Sequence, residues 1–295
     1  MPENKSIIIK PKKLANTEHI IHKVLDISYD VISEAQKLDL YYPIDKNINY
    51  PLVVHIHGGA FVKGDKRDHQ LNPFLRLLDD GFAVASINYR LSGEAIFPAA
   101  VQDVKTAIRY LKVHSKELNI DSSRIAVVGG SAGGNLCAMV GTSAHVIEFE
   151  KDCPYFGIVD SKVKAVVDWF GPTLFSEMDS QLRNNNLGPC DHSLDDSPES
   201  RYMGIPIHRI SNDYLRKADP AYYVSEDIPP FYIQHGRLDH LVPYQQSIHL
   251  VNRIKEVAGD DRVVFEILET ADHGTPEFES DENMEKIIQF LKKYV

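Results

Sequence analysis

Cysteine is scarce in this chain. There are three in 295 residues, Cys137, Cys153 and Cys190, an odd number without metal-type spacing. That argues against a disulfide framework or a cysteine-built metal site, and for reduced thiols in a reducing compartment. A basic excess is also missing. Lys and Arg number 32 against 42 Asp and Glu, a formal net charge of −10. Nucleic acid and anionic membrane surfaces both select a basic face, so neither is an expected partner. No apolar run approaches the length of a membrane span. The opening MPENKSIIIKPKKLANTEH has no apolar segment long enough for a signal peptide, so a cytoplasmic location is the expectation. Neither nucleotide fingerprint, G-x-x-x-x-G-K-[ST] or G-x-G-x-x-G, occurs. There is no internal repeat and no low-complexity tract.

What is present is length enough for one large α/β domain or two small ones, with an apolar content of 43% that is ordinary for a globular protein burying a substantial core. The chain is organised around Ile125–Val140, IAVVGGSAGGNLCAMV. Ile125 to Val128 suit a buried parallel strand and Ala132 onward suits a helix. Between them Gly129, Ser131 and Gly133 form G-x-S-x-G. Side chains two before and two after the serine would collide with neighbouring backbone, so glycine there permits a sharp strand-to-helix turn with the serine at its top. This is the nucleophile elbow of α/β-hydrolases. The five-residue pattern alone arises by chance in about one chain in ten of this length. Its strand–turn–helix context makes it specific.

The remaining elements read in order. Residues 1–20 are polar and basic, and are expected as a loosely attached arm before a single domain over 21–295. Val24–Val31 and Lys37–Tyr42 read as two antiparallel edge strands, and Leu52–His57 as an apolar strand. Asn72–Asp80 reads as a helix closed by Gly81, followed by strand Phe82–Ile87. A long helix begins near Pro98, with Val101, Val104, Ile108 and Leu111 forming one core-facing stripe. Val163–Phe170 is a further strand. Residues 173–226, rich in Asn, Asp, Ser and Pro, read as a small lid insertion with short helices. Strand Pro229–His235, helix Pro243–Val257, strand Val263–Leu268 and helix Glu282–Tyr294, with Ile287, Ile288 and Leu291 inward, complete the chain. The alternation implies a mostly parallel, doubly wound sheet with antiparallel N-terminal edge strands. Its site is expected beyond the carboxyl ends of the strands.

A serine needs a base, and the base an orienting acid. In this fold their order is serine, acid, histidine, each on a loop at a strand's carboxyl end. Strand PFYIQH runs into Gly236-Arg-Leu-Asp239, and the last strand into Glu269-Thr-Ala-Asp-His273. Ser131, Asp239 and His273 therefore form the expected catalytic set. Asp272 competes as the acid, but an adjacent side chain reaches the imidazole with poor geometry, and His240 belongs to the acid's loop. The loop His57-Gly58-Gly59-Ala60-Phe61 follows the third strand, where an oxyanion hole is expected. Its donors are Gly59 and Ala60, with Gly58 as an alternative, joined by Ala132. His55 and His57 lie two apart on one strand, yet no third ligand accompanies them, so their role reads as structural and no metal is expected. Phe61 and Trp169 are expected either as substrate-binding walls of the acyl pocket or as plain core. Tyr202 and Tyr214 of the insertion are candidates for substrate contact. Arg90 and Asp103 read as a structural ion pair.

The segments HGGAFVKGD, NYRLSGEAIFPAAVQDV, GGSAGGNLCAMV, SPESRYMG and HGRLDHLVP…ADHG together resemble the hormone-sensitive-lipase-like α/β-hydrolase esterases. The nearest branch is the bacterial feruloyl-esterase and acetyl-xylan-esterase-like carboxylesterases. The resemblance runs from about Ile27 to the C-terminus. It implies a cofactor-free Ser–Asp–His carboxylic ester hydrolase, a monomer or homodimer acting on a small-molecule or oligosaccharide ester of a short acyl, acetyl or hydroxycinnamoyl group. It places catalytic roles on Ser131, Asp239 and His273 and oxyanion roles on the 58–60 loop and Ala132. Two stretches depart from the family pattern. Gly130 stands where many relatives carry an acid, and the oxyanion loop ends in Ala60 and Phe61 rather than a third glycine and a tryptophan. Both bear on acyl preference rather than reaction type. The base must start neutral, so activity is expected to rise through the imidazole range, near roughly pH 6–7. Competing readings are an amide hydrolase such as an arylformamidase and a non-catalytic ligand receptor. Retention of His273 argues against the second.

Overall fold

The computed structural model describes residues 13–44, 49–150 and 153–295. Eight strands form one sheet in the order β1-β2-β4-β3-β5-β6-β7-β8. They are β1 Lys23–Ser28, β2 Lys37–Tyr41, β3 Tyr50–Ile56, β4 Ala83–Ile87, β5 Ile120–Gly130, β6 Ala165–Trp169, β7 Phe231–Gly236 and β8 Val263–Leu268. β1 pairs antiparallel with β2, and β2 antiparallel with β4. Every other pairing is parallel. This is the α/β-hydrolase fold. β2 has partners on both sides, so β1 alone is the edge of the antiparallel pair.

The helices are α1 Asn72–Leu75, α2 Ala99–Val113, α3 Ala132–Thr142, α4 Met178–Asn185, α5 Pro198–Met203, α6 Asn212–Leu215, α7 Gln245–Ala258 and α8 Asp281–Tyr294. Among the described residues, none is long and apolar enough to cross a membrane. Side chains alternate between the two faces of a strand. Leu52, Val54 and Ile56 of β3 therefore join one core with the α2 stripe Val101, Val104, Ile108 and Leu111, with Leu136 of α3 and with Leu250 of α7. Val53 joins the opposite core with Phe74 of α1 and Ile287, Ile288 and Leu291 of α8. Both sheet faces are covered, which is why the central strands read as continuous apolar runs.

Two expectations need correction. The segment expected as a helix over Asn72–Asp80 contains one α-helical turn, flanked by 3₁₀ turns at His69–Leu71 and Arg76–Leu78. Leu71, Phe74 and Leu77 recur at steps of three and are all buried, and residues three apart eclipse one another in a 3₁₀ helix. Of the arm expected over 1–20, residues 1–12 lie outside the described residues. Residues 13–20 are not loose: His69 donates to the Lys13 carbonyl at 3.0 Å, Ala15 to the Arg67 carbonyl at 2.9 Å, and Ile20 enters the second core.

The segment 173–226 carries α4, α5, α6 and four 3₁₀ turns. Phe175, Met178, Tyr202 and Met203 anchor it to the first core. Arg90 and Asp103 form the expected structural pair, Nη2 to Oδ1 at 2.7 Å, with Gln36 donating to the same carboxylate at 2.8 Å.

Candidate active site

β5 runs straight into the turn that presents Ser131. The serine adopts φ 58° and ψ −124°, a strained conformation for a non-glycine residue. The surrounding backbone enforces it. A Cβ on Gly133 would stand 2.0 Å from the Ile56 carbonyl oxygen, and one on Gly129 would stand 2.7 Å from the same atom. Neighbouring β3 therefore packs against both glycines of the motif. The Ser131 amide donates to the Trp169 carbonyl at 2.9 Å, and its own carbonyl accepts from Asn135 at 3.0 Å. Gly130, the residue before the serine, is closely packed. The Phe170 ring lies 3.0 Å from where its Cβ would be.

Asp239 and His273 sit on the loops after β7 and β8. Asp239 Oδ2 lies 2.7 Å from His273 Nδ1. Asp239 Oδ1 accepts from the amides of Leu241 at 2.9 Å and Val242 at 2.8 Å. His235, at the end of β7, places Nε2 3.4 Å from Asp239 Oδ2. Burial alone would raise this carboxyl, but the His235 and His273 imidazoles reverse that and hold it well below the ordinary carboxylate range. Asp239 is buried, whereas the His273 side chain keeps 14% exposure. The acid is thus sealed behind an imidazole that opens to the cleft.

Asp272 does not act on the imidazole of its neighbour. Its Oδ1 accepts the amides of His273 and of His240 at 2.6 and 3.1 Å, and lies 2.7 Å from His240 Nδ1. It ties the two loops together and so fixes where His273 stands. The Phe170 ring packs against the His273 imidazole at 4.6 Å between centroids.

The loop 57–61 turns through three successive positive-φ residues, Gly59 at 121°, Ala60 at 55° and Phe61 at 61°. Gly59 O accepts from Val62 and Lys63, both at 3.1 Å, and Phe61 O accepts from Ser92 at 2.8 Å. The Gly58 amide donates to Gln70 Oε1 at 2.9 Å, and Gln70 itself lines the cleft. Gly59 and Ala60 line the cleft beside Ser131. Ala132 lines it from the other side as the first residue of α3, a position whose N–H has no intrahelical acceptor.

Two cavities of about 360 Å³ each meet at Ala60, Ser131, Leu241 and His273. The first is walled by Phe74, Trp169, Phe170 and Phe278, with His55, Lys63 and Gln70 at its polar side. The second is built largely from residues 189–199. Trp169 borders the first cavity. Phe61 touches the second but is 1% exposed and stacks on Tyr202 at 3.9 Å, so most of it is core. Tyr202 and Tyr214, expected to contact substrate, line neither cavity. Tyr202 is buried under Phe61, and Tyr214 packs on the first core. His55 Nδ1 pairs with Ser86 Oγ at 2.9 Å, and burial pulls its pKa down to about 3. His57 stacks on Tyr89 at 4.5 Å. Among the described residues no group of three or more metal-ligating side chains occurs.

Residues 38–254 match the family model BD-FAE. The chain belongs to the BD-FAE family. The matched span includes the 57–61 loop, Ser131 and Asp239 and ends before His273, which the geometry adds. The chain is 31% identical over 245 residues to LipM of Mycobacterium tuberculosis, described as a probable carboxylic ester hydrolase, covering 82% of this chain and 54% of that protein. It spans about half the length of the curated relatives it matches. Among solved structures, a truncated carbohydrate esterase from gut microbiota superposes with TM-score 0.82 at 29% identity, over 95% of this chain and 99% of that one. A bifunctional GH43-CE protein of Bacteroides eggerthii superposes with TM-score 0.80 at 31% identity, over 92% and 35%. In this BD-FAE chain, Gln70, His235, Phe170 and the loop-tying role of Asp272 emerge only in three dimensions. The one sequence signal for His235 was its place at the end of an apolar strand.

Proposed function

We propose that this protein hydrolyses carboxylic esters through a serine acyl-enzyme intermediate. Ser131 Oγ attacks the ester carbonyl as His273 takes its proton. Asp239 holds the Nδ1–H and stabilises the imidazolium that forms. The amides of Gly59, Ala60 and Ala132 receive the tetrahedral oxyanion, each such donor being worth roughly 3 kcal/mol of barrier. His273 then protonates the departing alcohol, and water repeats the sequence to free the acid.

The observation that carries this reading is the 2.7 Å contact between Asp239 and His273 Nδ1, which leaves the second imidazole nitrogen for the cleft shared with Ser131. The hydroxyl and the imidazole line one cleft without a hydrogen bond between them. Catalytic contacts are commonly long before substrate tightens them. Esterase relatives over most of the chain support the same reaction class. The aromatic-walled cavity suits the acyl group, in size and lining, from acetyl to hydroxycinnamoyl.

Steady-state hydrolysis of p-nitrophenyl acetate tests the assignment. Ser131→Ala and His273→Ala should each remove nearly all activity, with little further loss in the double variant, because the two act as a unit. Asp239→Asn should lower kcat by about 10⁴. Near-wild-type rates in any of the three would contradict the role assigned to that residue. Comparison with N-formylkynurenine separates ester from amide hydrolysis, and the ester is expected to be the better substrate.

A further inference from the structure

The loops that carry the acid and the base contain the same dipeptide. The loop after β7 holds Asp239-His240, and the loop after β8 holds Asp272-His273. The two dipeptides pair crosswise. Asp239 Oδ2 meets His273 Nδ1 at 2.7 Å, and the two Asp272 oxygens meet His240 Nδ1 at 2.7 and 2.8 Å. An ionised carboxylate only accepts, so both imidazoles present Nδ1–H to their partners. A single tie leaves two loops free to pivot about it, whereas two crossed ties also fix their rotation. The pairs differ in setting. Asp239 is buried, while the outer pair is open to solvent, with 47% of the His240 side chain and 38% of the Asp272 side chain exposed. Neither His240 nor Asp272 lines either arm of the cleft.

The outer pair reaches the base through the backbone. Asp272 Oδ1 accepts the His273 amide at 2.6 Å and the His240 amide at 3.1 Å. Burial alone would raise this carboxyl, but the His273 amide, then the His240 imidazole and amide, hold it below the ordinary aspartate range. The main chain of Asp272 is pinned as well. Its amide donates to Thr275 Oγ1 at 3.1 Å, and its carbonyl accepts from the Thr275 amide at 3.4 Å. What remains free is rotation of the carboxylate about its own side-chain bonds. The His240 imidazole touches both oxygens and removes that freedom. It thereby fixes the direction of the acceptor offered to the His273 amide.

Stability does not account for the outer pair. Exposed ion pairs contribute little, because water screens them and holding two side chains costs entropy. Nor is it needed merely to join the loops. The Arg237 and Leu238 amides donate to the Leu268 and Ala271 carbonyls at 2.9 and 3.0 Å, and Arg237 pairs with Glu269 at 3.0 Å. Those ties stop at residue 271, and the His240–Asp272 pair is the one that extends to the base. We infer that His240 is a positioning residue for His273, acting through Asp272 on the angle at which the imidazole faces Ser131. This rests on the ester-hydrolase function proposed for the cleft. Misplacing a reacting group by about 1 Å can cost roughly a hundredfold in rate.

The test replaces His240 and follows p-nitrophenyl acetate hydrolysis. His240→Ala should lower kcat and kcat/KM together by about tenfold to a hundredfold, with KM and the thermal unfolding midpoint close to wild type. Asparagine places its amide nitrogen where Nδ1 stands, and glutamine where Nε2 stands. His240→Asn should therefore recover most of the rate and His240→Gln should not, a comparison that holds even if the alanine variant fails to fold. Proton NMR reads the base directly. The downfield signal of His273 Nδ1–H, identified by its loss in His273→Ala, should shift or broaden in His240→Gln and return in His240→Asn. A pair that only joined the loops would leave that signal unmoved. Wild-type kcat in His240→Ala, or equal rates in the Asn and Gln variants, would overturn the positioning role while leaving ester hydrolysis intact. Wild-type protein that hydrolyses no ester would overturn the ester reading itself, and this inference with it.

Discussion

Two buried aspartates show how local partners set the behaviour of a carboxyl group. Asp239 is met by two backbone amides and two imidazoles and is held strongly acidic. Asp168, in β6, is fully buried with one donor, the Gly171 amide at 3.0 Å, while its Oδ2 has no partner among the described residues. Burial pushes its pKa up to about 7. The unfolded chain releases this proton near pH 4, at roughly the ordinary aspartate value. Between those limits the native state binds more protons than the unfolded state, so the group costs stability as pH rises. The slope is at most about 1.4 kcal/mol per pH unit, and it flattens above pH 7. Asp168→Asn cannot ionise, so its stability relative to wild type should climb from pH 4.5 to 7 and then level. Urea unfolding across that range checks this, and parallel curves for the two proteins would contradict it.

At the scale of elements, the turn joining β5 to α3 is fixed by backbone packing more than by side chains. Gly133→Ala would drive a methyl to within 2.0 Å of the Ile56 carbonyl and 2.9 Å of the His57 carbonyl. Relaxation must move either β3, which leads into the 57–61 loop, or the turn that holds Ser131. A stability loss at the upper end of the usual 1–3 kcal/mol for overpacking is expected, with a fall in kcat/KM larger than the loss of folded protein explains. Chemical denaturation and active-site titration together would measure both. An alanine variant with wild-type stability and rate would contradict this steric origin. Most elements were legible in the sequence because each strand is an apolar run bounded by turn residues and each long helix shows a clean stripe, as Val101, Val104, Ile108 and Leu111 do. The stretch 69–78 was harder, because a three-residue repeat of buried side chains imitates a short α-helix. The insertion was recognisable by composition alone, since its fold follows from side-chain-to-backbone bonds such as those of Asp179 and Ser197, which leave no periodic trace.

For the molecule as a whole, the sheet brings residues 131, 239 and 273 to one end because parallel strands deliver their following loops to the same edge. That rule made the three positions legible from the order of elements alone. The hydrogen bond from Gly58 to Gln70, the loop-tying role of Asp272 and the second cavity were not legible. Each depends on contacts between segments far apart in the chain, or on an insertion without a repeat. The central claim is that Ser131 is an activated nucleophile. Reaction with a fluorophosphonate, followed by mass mapping of the modified peptide, tests it most directly. One adduct per chain is predicted on Ser131, absent in Ser131→Ala and strongly slowed in His273→Ala. An adduct on another residue, or labelling of Ser131 at an undiminished rate without the imidazole, would contradict it.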